Sequence, residues 1–250
     1  MASYAQFAGF YDQIMGDRSE DIWRIRRTIE RFMPGARSLL ELGCGTGAML
    51  AGLADDLAVT GVDASPEMLA IAAGKVPGAR LVQSDMTSFA FAARFDVVIC
   101  VFDTLNHLPK FEAWRELFDR VHDHLTDGGL FAFDVNTTGR LRRLWRGPAF
   151  AHNFGPHTVI MDVAPAGGDL SDWSVRIFEH LGGDRYRRHM EVIPELGVPL
   201  ATIGEALSAR FELLEQSDLD GGKVSDDSSR VFFAYRKRPH VAEPPGTPQP

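Results

Sequence analysis

Leu39-Leu40-Glu41-Leu42-Gly43-Cys44-Gly45-Thr46-Gly47 joins an apolar strand to a Gly-x-Gly-x-Gly turn. Glycines at that spacing let the backbone approach a ligand with no side chain in the way. Residues 48–57 then carry Met49, Leu50, Leu53 and Leu57 at helical spacing. The turn therefore lies between a strand and a helix, where ligands bind in α/β proteins. A second apolar run, 57–62, ends in Asp63. The dinucleotide fingerprint Gly-x-Gly-x-x-Gly sets its third glycine one residue later, with an acid about 20 residues on. The acid matches that pattern and the glycine spacing does not, which points away from a pyrophosphate and towards a smaller nucleoside.

Outward from this turn, residues 79–83 predict strand three and 95–102 strand four, a nearly continuous apolar run suited to burial on both faces. Residues 111–125 predict a helix, Asp127-Gly128-Gly129 its stop, and 130–135 strand five. Alternating strands and helices imply a parallel sheet covered on both sides. Residues 157–163, 173–181 and 186–194 instead alternate in the β manner, separated by Gly167-Gly168-Asp169 and Gly182-Gly183-Asp184. They predict an antiparallel sheet inserted after strand five, across 137–200, where it would roof a pocket at the C-terminal strand ends. Residues 211–216 and 230–236 predict the last two strands, joined by the polar loop 218–229.

A chain of 250 residues with 45% hydrophobic content fits one principal α/β domain carrying an insertion. The net charge of -8 opposes nucleic-acid binding. Arg140, Arg142, Arg143 and Arg146 then read as a solvated helix face, and Arg236-Lys237-Arg238 as a solvated strand end. No apolar run reaches membrane-spanning length, and residues 1–17 lack the pattern of a signal peptide. Cys44 and Cys100 have no metal-ligand spacing, so a reducing, cytoplasmic setting is expected. The proline-rich end, 239–250, is expected to be a disordered tail beyond a domain at 1–238.

Glu41 to Gly47, Asp63, and Ser84-Asp85-Met86 after strand three together resemble class I S-adenosylmethionine-dependent methyltransferases. Alone, Asp63 and Asp85 would read as helix caps; the ordered set of three carries the resemblance. It implies a Rossmann-like, doubly wound α/β fold. Its sheet is mostly parallel and seven-stranded, the last two strands lie antiparallel at one edge, and the antiparallel β lid follows strand five. It implies S-adenosyl-L-methionine as cofactor, with Gly43, Gly45 and Gly47 under the methionine and ribose, Asp63 on the ribose hydroxyls and Asp85 at the adenine amine. Tyr11, Glu41, Cys44, Ala64, Met68, Met86, Val101 and Phe102 complete the implied cofactor contacts.

Phe7-Ala8, Tyr11-Asp12 and the turn Asp103-Thr104-Leu105-Asn106-His107 resemble a subgroup of small bacterial methyltransferases that includes sugar N-methyltransferases. In relatives acting on nucleotide-linked amino sugars, the residues matching Tyr11 and His107 face cofactor and acceptor. His107 is therefore the leading base, with Asp103 and Tyr11 as further catalytic candidates. Tyr4, Phe7 and Tyr11 also suit a helix packed on the core, and Trp23 and Arg24 suit either the cofactor's carboxylate end or a helix face. Trp145, Phe150, His152, Phe154, His157, Trp173 and Arg176 are shared between an acceptor pocket and packing of the insert. Asp134 and Asn136 end strand five near the acceptor, Asn136 also suiting a helix cap. The implied activity is methyl transfer, without a metal, to nitrogen or oxygen of a small molecule such as an amino sugar or natural-product intermediate. An RNA methyltransferase and a non-catalytic S-adenosylmethionine-binding regulator are the alternatives. Neither nucleic acid nor membrane is an expected partner, and a monomer or homodimer is expected.

Overall fold

β1 (Ser38–Leu42), β2 (Ala58–Asp63), β3 (Arg80–Gln83), β4 (Phe95–Cys100) and β5 (Leu125–Asn136) run parallel, in the spatial order β3-β2-β1-β4-β5. The computed structural model describes residues 7–239, so Tyr4 and the tail beyond 239 lie outside the described residues. A separate four-stranded antiparallel sheet follows, made of β6 (Phe150–Phe154), β7 (His157–Gly167), β8 (Leu170–His180) and β9 (Tyr186–Leu196) in chain order. The chain then returns to the first sheet as β10 (Phe211–Asp218) and β11 (Arg230–Lys237), with β11 antiparallel to β5 and β10 at the edge. The seven-stranded, mostly parallel sheet with an antiparallel insert after strand five is thus the expected architecture.

The helices are α1 (Tyr11–Met15), α2 (Ser19–Phe32), α3 (Ala48–Leu53), α4 (Pro66–Lys75), α5 (Phe111–His124), α6 (Thr138–Leu144) and α7 (Leu200–Ser208). Side-chain alternation divides the main sheet's core. Phe131, Phe133 and Phe233 pack on one face with Trp114 and Phe118 of α5, while Leu130, Ala132 and Phe232 join Leu39, Leu50 and Ile25 on the other. Residues buried on both faces explain why β4, β5 and β11 read as continuous apolar runs. Strand order reverses between β1 and β4, and the loops leaving these two strands flank the resulting crevice.

Four local expectations are corrected. The helix after the glycine turn, α3, stops at Leu53, leaving Leu57 buried just before β2. Asp127-Gly128-Gly129 does not separate helix from strand: β5 starts at Leu125, and the pairing jumps from Phe95↔Leu125 to Val97↔Leu130. Gly128, at φ 75°, turns that segment into a bulge inside the strand. The cap of α6 is Thr137, whose Oγ1 accepts the Arg140 N–H at 3.1 Å, and not Asn136. The aromatic N-terminal segment packs on the insert instead of the main core, with Phe7 joining Phe154, Val159, Val175, Ile177 and Ile193.

Candidate active site

The turn after β1 is built by hydrogen bonds to its neighbour strand. Gly43 and Cys44 N–H donate to the Val62 carbonyl at 2.8 and 3.0 Å. Gly43 has φ 68°, and a Cβ there would lie 2.4 Å from Thr104 Cγ2, so the loops after β1 and β4 meet only because this residue is glycine. At Gly45, φ is 51° and a Cβ would meet nothing within 4 Å; the residue borders open space. That space is a cavity of about 260 Å³ at the C-terminal ends of β1, β2, β4 and β5, roofed by the second sheet.

Asp63 closes the turn from the β2 side. Its Oδ2 accepts the Gly45 N–H and its Oδ1 the Ser65 N–H, both at 2.8 Å. Burial pushes the Asp63 carboxyl above its usual range, against the three backbone donors and the nearby His107. From α1, Asp12 accepts from Thr46 Oγ1 at 2.6 Å and from Lys75 Nζ at 2.7 Å, stapling the N-terminal segment across the glycine turn to α4.

The loop after β4 is strained. Phe102 and Asp103 have φ of 61° and 51°, a region that costs about 1 to 3 kcal/mol for such residues and needs support from outside. The support is Asp134, whose carboxylate accepts the Phe102 and Asp103 N–H groups at 2.9 and 2.7 Å. Arg230 pairs with Asp103 and reaches Asp134 at 3.7 Å. Asn136 Nδ2 donates to Asp103 Oδ2 at 3.1 Å and Glu195 Oε2 at 2.8 Å, while Asn106 Nδ2 donates to the carbonyls of Asn136 and Leu196. One polar network thus joins the β4 loop, β5, β11 and the last lid strand.

His107 stands on the cavity wall with Nδ1 3.4 Å from the Pro194 carbonyl of β9. Burial is the largest influence on its imidazole and holds it below the usual histidine value, although Asp103 pulls the other way. Glu195 is only 3% exposed. Burial, then the charge of Asp103, push its carboxyl well above the usual range. Ligand atoms of Asp103, His107 and Glu195 lie within 4.8 Å of one another, close enough to surround a cation. Both Asp103 oxygens already face donors, from Arg230 and Asn136, and this geometry suits a proton-sharing group better than a metal.

Of the residues singled out from sequence, Tyr11, Gly43, Gly45, Asp63, Ala64, Met68, Met86, Phe102, Asp103 and His107 line the cavity together. Glu41 and Cys44 are buried beside it, both raised by desolvation and by neighbouring acid charge. Gly47 caps α3 with φ 74°, and Val101 presents its carbonyl to Thr104 Oγ1. Asp85 is not on the wall: its Oδ1 caps its own turn by accepting Thr87 N–H and Oγ1–H, both at 2.7 Å, and Ser84 borders the cavity instead. Trp23 is 57% exposed, and Arg24 is half-buried and pairs with Glu20 and Asp21 of its own helix; neither lines the cavity.

Among the insert candidates, Trp173 lines the cavity. Trp145 donates to Ser171 Oγ at 2.8 Å, Phe150 is exposed, Arg176 pairs with Asp162, and His152, Phe154 and His157 form ring contacts with one another or with Phe10. The sequence reading missed Arg18, Arg140, Glu195 and Arg230. The Arg18 guanidinium lies 4.0 Å over the Phe102 ring with a buried Nη2 that has no partner. Arg230 gave one usable signal, as a charged residue opening an otherwise apolar strand pattern.

Comparison with known proteins agrees with this geometry. A methyltransferase domain model matches residues 39–129, from β1 to the bulge of β5. A putative methyltransferase of Geobacillus sp. (strain WCH70) is 30% identical over 246 residues, covering 94% of this chain and 100% of that protein. The dTDP-3-amino-3,6-dideoxy-alpha-D-glucopyranose N,N-dimethyltransferase of Streptomyces fradiae is 31% identical over 168 residues, covering 65% of this chain and 61% of that enzyme. The crystal structure of an S-adenosylmethionine-dependent methyltransferase from Clostridium acetobutylicum ATCC 824 shares the fold, with TM-score 0.84, 23% identity, and coverage of 94% of this chain and 99% of that one. With the glycine turn, the acid ending β2 and a full-length relative in agreement, the chain belongs to the class I S-adenosylmethionine-dependent methyltransferases and resembles their sugar N-methyltransferases.

Proposed function

We propose that this methyltransferase acts on an amine nitrogen of a small molecule, an amino sugar or a related biosynthetic intermediate, with His107 as general base. The observation that carries this reading is the place of His107 on the cavity wall, with a ring nitrogen within 4.8 Å of the carboxyl oxygens of Asp103 and Glu195, where burial lowers the affinity of the imidazole for a proton. Nδ1–H directed at the Pro194 carbonyl leaves the basic lone pair on Nε2. The Streptomyces fradiae relative, by its name, dimethylates an amino sugar, which supports the substrate class.

The open space at Gly45 and the unpartnered Nη2 of Arg18 fit S-adenosyl-L-methionine. Gly43 and Gly45 would admit its backbone-facing edge, Asp63 would accept the ribose hydroxyls, Met68 and Met86 would pack the base, and Arg18 would meet the carboxylate. The cofactor supplies a methyl group on positively charged sulfur, so transfer is an in-line displacement requiring a close, unprotonated nucleophile and little water. His107 takes the proton of the acceptor's ammonium at Nε2, and Asp103 stabilises the imidazolium that forms. Tyr11, pushed up to about 12 by burial, keeps its proton and serves as a donor on the wall. The lid strands exclude water from above. Two buried free cysteines, Cys44 and Cys100, accord with work in a reducing compartment such as the cytoplasm.

The test is incubation with methyl-labelled S-adenosylmethionine and paired sugars that differ only in an amino or hydroxyl group, with products read by mass spectrometry. Label on nitrogen of the amino member is expected. Label on the hydroxyl member alone would overturn the reading.

A further inference from the structure

The lid side of the cavity contains a cation that the amine chemistry does not use. Arg140, on α6, lines the cavity. Its backbone N–H is held by Thr137 Oγ1, but no acceptor or acid among the described residues meets its guanidinium, and Nε is buried without a partner. Its helix neighbours differ: Arg142 pairs with Asp169 at 2.7 Å, and Arg143 donates to the Asp227 carbonyl at 2.9 Å. Of the acids that act on its charge, Asp103 is engaged by Arg230 and Asn136, Glu195 by Asn136, and Asp220 makes no ion pair with it. Burial and the positive charge of Arg230 both work against the Arg140 cation, so the fold holds an unpaired charge where it is disfavoured. Trp173 of β8 also lines the cavity, and its indole Nε1 is buried without an acceptor.

We propose that Arg140 is the recognition site for an acidic group of the acceptor, a carboxylate or a phosphate, and that the Trp173 indole N–H donates to an oxygen of the same molecule. Unpaired donors need an acceptor-only group, and a guanidinium presents its N–H fork to planar or tetrahedral oxyanions. This deepens the reading above and rests on it: the acceptor carries its nucleophilic nitrogen at His107 and an acid towards α6. The sequence expectation of a solvated arginine face thus holds for Arg142 and Arg143, while Arg140 turns inward.

The test uses the full chain loaded with S-adenosylhomocysteine and labelled with ¹⁵N. The indole signals of its four tryptophans are followed while inorganic phosphate or, separately, acetate is added, with Trp173→Phe assigning the relevant signal. A saturable shift of the Trp173 signal with one of the two anions is expected, and identifies the acid. Arg140→Gln should weaken that response at least tenfold, Arg140→Lys should restore part of it, and Arg140→Gln should melt no lower than wild type, because the guanidinium it removes is unpaired. A Trp173 signal that follows neither anion, or follows one equally in Arg140→Gln, overturns the proposal. So does a large fall in melting temperature in Arg140→Gln, which would make the guanidinium a structural part. Failure of S-adenosylhomocysteine to bind wild type would count against the cofactor site instead, which keeps the two failures distinguishable.

Discussion

Asn136 Nδ2 stands 2.8 Å from Glu195 Oε2, so one amide ties the tip of β5 to the last strand of the lid. The same amide holds Asp103, and the lid's position is therefore coupled to the loop that carries His107. Burial and the neighbouring charge of Asp103 both favour the protonated form of Glu195 here.

Glu195→Gln keeps the acceptor oxygen and removes the titration. The folded-state carboxyl lies above its unfolded value of about 4.3, so its stabilising contribution is present below that pH and is lost as pH rises through the folded value. Wild type should lose melting temperature relative to Glu195→Gln as pH increases. Parallel melting curves across that range would show that Glu195 is not held neutral.

Asp12 is half-exposed, and its bonds to Thr46 and Lys75 are screened by water. Asp12→Ala should raise the dissociation constant for S-adenosylhomocysteine by roughly three- to tenfold, about 1 kcal/mol, and speed amide exchange in α1. Unchanged affinity and exchange would show that the staple does not hold the segment over the site.

Trp173 and His157 separate pocket from packing. Trp173→Ala removes a cavity wall and should raise the acceptor KM by about tenfold or more, with cofactor affinity nearly constant. His157 accepts the His180 N–H at 3.0 Å and packs against Phe10, so His157→Ala should lower the melting temperature with little change in acceptor KM. The reverse pattern in steady-state kinetics would misplace the acceptor.

Asp63→Ala removes a carboxylate from the cavity, where a charge-assisted hydrogen bond is worth about 1.5 to 3 kcal/mol. Calorimetry should show S-adenosylhomocysteine binding weakened more than tenfold. Because Asp63 also holds the N–H groups of Gly45 and Ser65, Asp63→Asn serves as the control for turn geometry, and wild-type affinity in both variants would remove Asp63 from the site.

The parts of the site that lie within a few residues of a strand end were legible in sequence. The glycine turn, Asp63 and the loop 102–107 follow apolar runs directly, and their places are fixed by sheet order. Asp85 shares that position but turns its oxygen onto Thr87, a local choice that spacing alone does not reveal. Glu195, Arg140 and Arg230 come from three distant segments, and only the docking of lid, α6 and β11 brings them together. Arg140 sits among arginines that face solvent, and Glu195 looks like any polar position of a half-buried strand until Asn136 is seen opposite. The Gly128 bulge is not legible from sequence, because glycine marks a helix stop and a strand bulge equally well.

The central claim, that His107 is the base for an amine acceptor, is tested most directly by single-turnover methyl transfer across pH in wild type and His107→Asn. Neutral imidazole is the active form, and burial holds this histidine below its ordinary value of about 6.5. The wild-type rate should therefore rise with pH to a plateau, with its midpoint below that value. His107→Asn should lose this limb and run roughly 10² to 10⁴-fold slower, with cofactor affinity unchanged. A variant that keeps both the wild-type rate and its pH profile would contradict the account and leave proton removal to another group.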